Sequence, residues 1–120
     1  MKILCVDDSA TLRKIVSMSL GPLGHTITEA ENGKAALVAL STGIPDLIVL
    51  DVNMPEMGGV EFLEERGKNP AWKSIPVIVL TTQDEAPLRE KIRALGASGF
   101  LAKPFQKDQL VAAIQDLGKA

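Results

Sequence analysis

Five short runs punctuate the chain: ILCV at 3–6, TITEA at 26–30, LIVL at 47–50, VIVL at 77–80 and GFLA at 99–102. Their length and their content of aliphatic and β-branched residues predict strands, with TITEA the most polar of the five. Between them, apolar residues recur at helical spacing. Leu12, Ile15, Val16 and Leu20 mark one helix face, closed by Gly21-Pro22. Asn32 stands where it can cap a second helix carrying Ala36, Leu37 and Leu40. Val60, Phe62 and Leu63 mark a third helix. Leu88, Ile92 and Leu95 mark a fourth, ended by Gly96, and Leu110, Val111, Ile114 and Leu117 a fifth. The pattern is strand then helix, five times over.

Strands that are apolar on both faces and alternate with helices predict a parallel sheet covered on both sides, because parallel neighbours need a crossover between them. The fold class is therefore an open α/β sandwich. With 120 residues, 46% of them hydrophobic, the chain fits one domain around one core, spanning 1–120 with no output domain. A formal charge of -2 removes the basic surface that a nucleic-acid backbone or an anionic membrane requires. No apolar stretch approaches the ~20 residues of a membrane span, and MKILCVDD turns acidic too soon for a signal peptide. The expected location is the cytoplasm. Cys5, the one cysteine, lies inside an apolar run and reads as a buried, inert thiol in a reducing compartment.

The polar residues that terminate the apolar runs change the picture. Asp7 and Asp8 come after the first run, Asp51 after the third, Thr81 and Thr82 after the fourth, and Lys103 after the fifth. In open α/β sheets the functional crevice lies outside the carboxyl ends of the strands, where the winding reverses, so all of these fall on one edge. Three gathered carboxylates repel one another unless something positive joins them. A divalent cation and Lys103 would serve, and Mg²⁺ suits oxygen ligands and commonly binds through carboxylates together with a phosphate oxygen. An aspartate can also be a nucleophile that forms an acyl phosphate. Asp51 would then attack a phosphoryl group while Asp7 and Asp8 hold the cation, with Lys103 and the Thr81 hydroxyl on phosphoryl oxygens.

VDDS (6–9), LIVLDVNMPEMGG (47–59), VIVLTT (77–82) and GASGFLAKPF (96–105), in this order and spacing, make the chain resemble a response-regulator receiver domain. The resemblance covers the whole chain, and DDSATLRKIV makes it most similar to single-domain chemotaxis regulators of the CheY type. It implies a flavodoxin-like, doubly wound five-stranded parallel sheet of order 2-1-3-4-5 with five helices. It also implies a switch protein, not an enzyme, with only self-phosphorylation and self-dephosphorylation chemistry. Asp51 would be the phosphoacceptor, supplied by a histidine kinase. Asp7, Asp8 and Asp51 would bind Mg²⁺ together with the backbone carbonyl of Asn53. Thr81 would be the switch hydroxyl, Lys103 the phosphate-binding lysine aimed by a cis bond to Pro104, and Phe100 the switch aromatic. Asn53 and Gln83 would tune dephosphorylation; both are neutral, which predicts modest self-hydrolysis. The implied partners are the kinase and a downstream target such as a flagellar motor switch. The target would dock on the fourth helix, fifth strand and fifth helix, with Leu88, Arg89 and the exposed side of residues 107–117 as candidates. A monomer is the default.

Plainer explanations exist for single residues. Asp8 or Ser9 could cap the first helix, Asp51 could be a turn residue, Thr82 a small polar neighbour and Phe100 simple core. A tyrosine often stands at the position of Phe100 in chemotaxis regulators, and phenylalanine leaves the readout to packing. His25, after Gly24, reads as a solvated turn residue. Trp72 in NPAWKSIP should pack over the edge helices, and Val52 takes the place beside Asp51 where this family often has tryptophan. Two rivals use similar parts. A phosphatase of the haloacid-dehalogenase type needs an aspartate two residues after its nucleophile, where this chain has Asn53, and needs the nucleophile after the first strand. A phosphorelay intermediate would pass the group to another histidine. No glycine-rich nucleotide-binding motif stands after the first strand.

Overall fold

The computed structural model describes residues 1–52, 58–81, 86–103 and 105–118, except the side chains of Ala86, Leu88, Leu117 and Gly118. Five parallel strands, β1 (Lys2–Val6), β2 (Thr26–Ala30), β3 (Leu47–Asp51), β4 (Val77–Thr81) and β5 (Gly99–Ala102), form one sheet of order β2-β1-β3-β4-β5. The helices are α1 (Ala10–Leu20), α2 (Gly33–Thr42), α3 (Gly59–Gly67), α4 (Pro70–Lys73), α5 (Ala86–Ala94) and α6 (Lys107–Gly118), with a 3₁₀ turn at Gly21–Leu23.

Alternation along each strand builds two cores. Leu4, Val6, Ile48, Leu50, Val77 and Val79 pack on one face with Ala36, Leu40, Phe62, Leu63 and Ile92. Ile3, Cys5, Leu47, Val49, Ile78 and Leu80 pack on the other with Val16 and Leu20 of α1 and Leu110 and Ile114 of α6. Helices therefore cover both faces, as the apolar runs predict. All five residues of β3 and of β4 are buried, whereas edge strand β2 buries only Ala30 fully, which accounts for the polarity of TITEA.

Local chemistry sets the boundaries. Ser9 caps α1, its hydroxyl accepting from the Leu12 amide at 3.2 Å. Asn32 caps α2 by accepting from the Ala35 amide at 2.8 Å. Gly24, at φ 91°, turns the chain into β2. One expectation needs correction. Among the described residues there are six helices where five are expected, because Asn69 accepts from the Ala71 amide and Pro70 occupies the first helical position, making the short helix α4 inside NPAWKSIP. Ile15, which shares the apolar face of α1, is 47% exposed, since the sheet-facing stripe of α1 is narrower than its apolar stripe.

Candidate functional site

β1 pairs with β2 on one side and β3 on the other, so the winding reverses between β1 and β3. Asp7 comes directly after β1 and Asp51 is the last residue of β3, so both carboxylates flank this switch point. Asp7, Asp8 and Asp51 each offer an oxygen, and these oxygens lie within 4.8 Å of one another. Asp7 and Asp51 are buried, while Asp8 faces solvent and leaves the cluster open on that side.

Lys103 enters from the end of β5. Its Nζ lies 3.1 Å from Asp7 Oδ2 and 3.2 Å from Asp51 Oδ1, and its amide donates to the Thr81 carbonyl at 2.9 Å. Burial alone would lower the Lys103 ammonium. The hydrogen bond to Asp7 and the charges of Asp51 and Asp7 outweigh it and hold the group above its ordinary value. The other oxygen of Asp7, Oδ1, accepts from the Ser9 amide at 2.8 Å. Thr81, the last residue of β4, is buried beside this edge and pairs in register with Ala102.

Among the described residues Lys103 is the lysine at the cluster, one positive charge beside three carboxylates. Hard oxygen donors gathered at the open carboxyl edge of the sheet fit a divalent cation of the Mg²⁺ kind. The residues expected at the strand ends are thus brought together: Asp7, Asp8, Asp51 and Lys103 in direct proximity, and Thr81 at the same edge. Asn53, Thr82, Gln83 and Pro104 lie outside the described residues.

Phe100 is half-buried against the core that carries Ile92, and two guanidinium groups lie over its ring, Arg89 at 5.1 Å and Arg93 at 5.5 Å from the centroid. The ring is thus neither wholly core nor free on the surface. His25 is half-buried and its Nδ1 lies 3.0 Å from the Met1 amino group at the amino-terminal edge, away from the carboxylates. Trp72 is partly buried against the core, and Val52 is buried next to Asp51. Cys5 is fully buried, and burial, together with the smaller effect of the Asp7 and Glu29 charges, pushes its thiol up to about 12.

Two residues at the site carry no expectation from the sequence. A Cβ on Gly59 would stand 2.8 Å from the Asp51 carbonyl oxygen and the Val52 Cα, so only glycine lets α3 start this close behind Asp51. The Gly-Gly pair at 58–59 was the available signal. The second is Arg13, whose guanidinium reaches back to the Asp7 carbonyl at 2.6 Å.

A doubly wound sheet of this order with an acid cluster and a lysine at its switch point defines a receiver-like α/β class. The response regulator receiver domain model matches residues 3–115. The chain is 37% identical over 116 residues to a probable chemotaxis protein CheY of Rhizobium etli, covering 96% of this chain and 90% of that one. It is 33% identical to Protein PilG of Pseudomonas aeruginosa, covering 96% and 85%. The solved chemotaxis protein CheY4 of Vibrio cholerae superposes with a TM-score of 0.92 at 35% identity, covering 97% of each chain. This chain belongs to the response regulator receiver domain family of two-component signalling. Members of that family are switch proteins and are not generally classed as enzymes, which disfavours the phosphatase reading. No described helix is long and apolar enough to cross a membrane.

Proposed function

We propose that the chain is a phosphoryl-accepting switch acting in chemotaxis as a cytoplasmic monomer, with Asp51 as the acceptor. The observation that carries this reading is the Asp7, Asp8 and Asp51 cluster at the sheet's switch point, with Lys103 Nζ bridging Asp7 and Asp51. A carboxylate oxygen of Asp51 attacks the phosphorus of a phosphohistidine on the kinase. The new O–P bond forms as the P–N bond breaks, and the bonding pair returns to the imidazole nitrogen. Asp7, Asp8 and Asp51 would hold Mg²⁺, with the backbone carbonyl of Asn53 as the further ligand that the family resemblance implies. When bound, the cation supplies positive charge that neutralises the phosphoryl oxygens. Lys103 exchanges part of its contact with the carboxylates for a phosphoryl oxygen, and the Thr81 hydroxyl donates to another.

These contacts exist only in the phosphorylated state, so they shift the population between two conformations. Phe100 moves inward after Thr81, and the face of α5, β5 and α6 changes shape for a downstream target such as a flagellar motor switch. On that face Arg89 is exposed, and the Leu88 side chain lies outside the described residues. Asn53 and Gln83 are neutral, so neither side chain is a strong general base, and the self-hydrolysis rate is modest. The relatives named for chemotaxis favour docking on a target over onward transfer to another histidine.

The test compares backbone amide spectra of the Mg²⁺ form with and without beryllofluoride, a mimic of the phosphoryl group. Shifts that extend from Asp51 through Thr81 to Phe100 and α6 support the switch. Shifts confined to the residues around Asp51 contradict it.

A further inference from the structure

Arg13 lies in the first turns of α1 with its side chain only 16% exposed, and it reaches in two directions. Its Nη1 donates to the backbone carbonyl of Asp7 at 2.6 Å, and its Nε donates to Glu29 Oε1 at 3.0 Å. The Asp7 carbonyl belongs to the peptide that joins Asp7 to Asp8. A peptide unit is planar, so fixing its carbonyl fixes the direction in which the chain leaves toward Asp8. Asp7 is then held at four points. Its amide donates to the Ala30 carbonyl at 3.0 Å, its carbonyl accepts from Arg13, and its two carboxylate oxygens accept from the Ser9 amide and from Lys103. Asp8, by contrast, is exposed and open to solvent.

We propose that Arg13 is a positioning residue for the cation site: it clamps the Asp7–Asp8 peptide so that both carboxylates offer an oxygen to one point, while Glu29 neutralises the guanidinium. The inference rests on the reading of the acid cluster as a cation site. Its signature is a sign. A positive charge this close to a cation site repels the cation, so on charge alone removing Arg13 tightens binding. If Arg13 works by positioning, removing it weakens binding, as loss of the groups that orient metal ligands generally does. Glu29 serves the same end, because without it the arginine would both hold the turn and oppose the ion.

The experiment titrates Mg²⁺ alone into the full chain by calorimetry at low ionic strength, with amide hydrogen exchange at Asp8 and Ser9 as a readout that needs no metal. Arg13→Met, which keeps the apolar stem, is expected to weaken Mg²⁺ by about tenfold and to speed exchange at Asp8 and Ser9. Arg13→Lys, unable to bridge the carbonyl and Glu29 together, should weaken it by a smaller factor, and this variant decides the matter if Arg13→Met does not fold. Glu29→Gln should also weaken binding, and the loss should fade as salt is raised. Affinity equal to or tighter than that of the wild type in the folded Arg13 variants overturns the inference. Asp8→Asn is the control for the site itself: its affinity should collapse, and Mg²⁺ binding that survives in it overturns the cation reading and this inference together.

Discussion

The two edges of the sheet each bury charge, and they handle it in opposite ways. At the carboxyl edge, Asp7 and Asp51 are buried with Asp8 beside them, and among the described residues Lys103 is the cation that bridges the buried pair. At the amino edge, just before β4 and β5, Arg66 is 2% exposed. Its Nη2 donates to the carbonyls of Lys73 at 2.9 Å and Ile75 at 2.5 Å, and its Nη1 closes on Gly96, where a Cβ would stand 3.0 Å away. Among the described residues Arg66 Nε has no hydrogen-bond partner. Burial lowers the Arg66 guanidinium from its ordinary value. The arginine is held by neutral carbonyls and ties α3 to the segment entering β4. The carboxyl edge instead keeps an excess of one sign around an opening. A buried charge met by local acceptors serves the architecture, and a cluster with charge left over around an opening is a candidate cation site.

The largest effect should come from the lysine. Lys103→Met leaves three carboxylates without their cation, and phosphoryl uptake from acetyl phosphate should slow by about 10²–10³, the scale of losing one donor to a developing oxyanion. Thermal unfolding of that variant should also depend more steeply on added Mg²⁺ than that of the wild type. At the amino edge the expected cost falls on stability alone. Arg66→Ala should lose about 3 kcal/mol in denaturant unfolding, from a cavity and unmet carbonyls. Arg66→Met, which refills the volume, should lose only about 1 kcal/mol. Neither should change the phosphorylation rate of the folded protein, and a slowing of tenfold or more would break the distinction between the edges.

Alkaline titration sharpens the comparison further. Lys103 is held above its ordinary value in the folded chain. Its contribution is therefore fully present below the unfolded pKa of about 10.4 and is lost as pH rises through the higher folded value. Unfolding measured above pH 10 should lose stability more steeply in the wild type than in Lys103→Met. The smallest effect concerns Cys5. With its thiol pushed up to about 12 inside β1, it should resist a thiol reagent at neutral pH in the folded chain and react fully after denaturation.

Much of this contrast could be read in advance at one edge only. LIVL and VIVL are apolar on both faces, so their parallel, buried placement comes from composition, and the residues after them are brought to one edge by topology. Arg66 could not be found that way. A charged residue in GVEFLEERG reads as surface, and only the carbonyls of Lys73 and Ile75, supplied by the tertiary fold, make its burial tolerable. Arg13 escaped for the same reason, since its two acceptors meet only when α1 lies against β1 and β2. Helical spacing placed Ile15 on the apolar side of α1 but says nothing of how much of that side the sheet covers. The arginines over Phe100 come from α5, across a turn whose geometry no spacing rule supplies.

The central claim is that Asp51, alone among the three carboxylates, takes the phosphoryl group. It is tested most directly by treating the chain with acetyl phosphate and Mg²⁺, reducing with borohydride and mapping the product by peptide mass spectrometry. An acyl phosphate is reduced to the alcohol, so the account predicts homoserine at position 51, absent without Mg²⁺ and absent in Asp51→Asn. Homoserine at position 7 or 8, or phosphate uptake with no reduced residue at position 51, would contradict it.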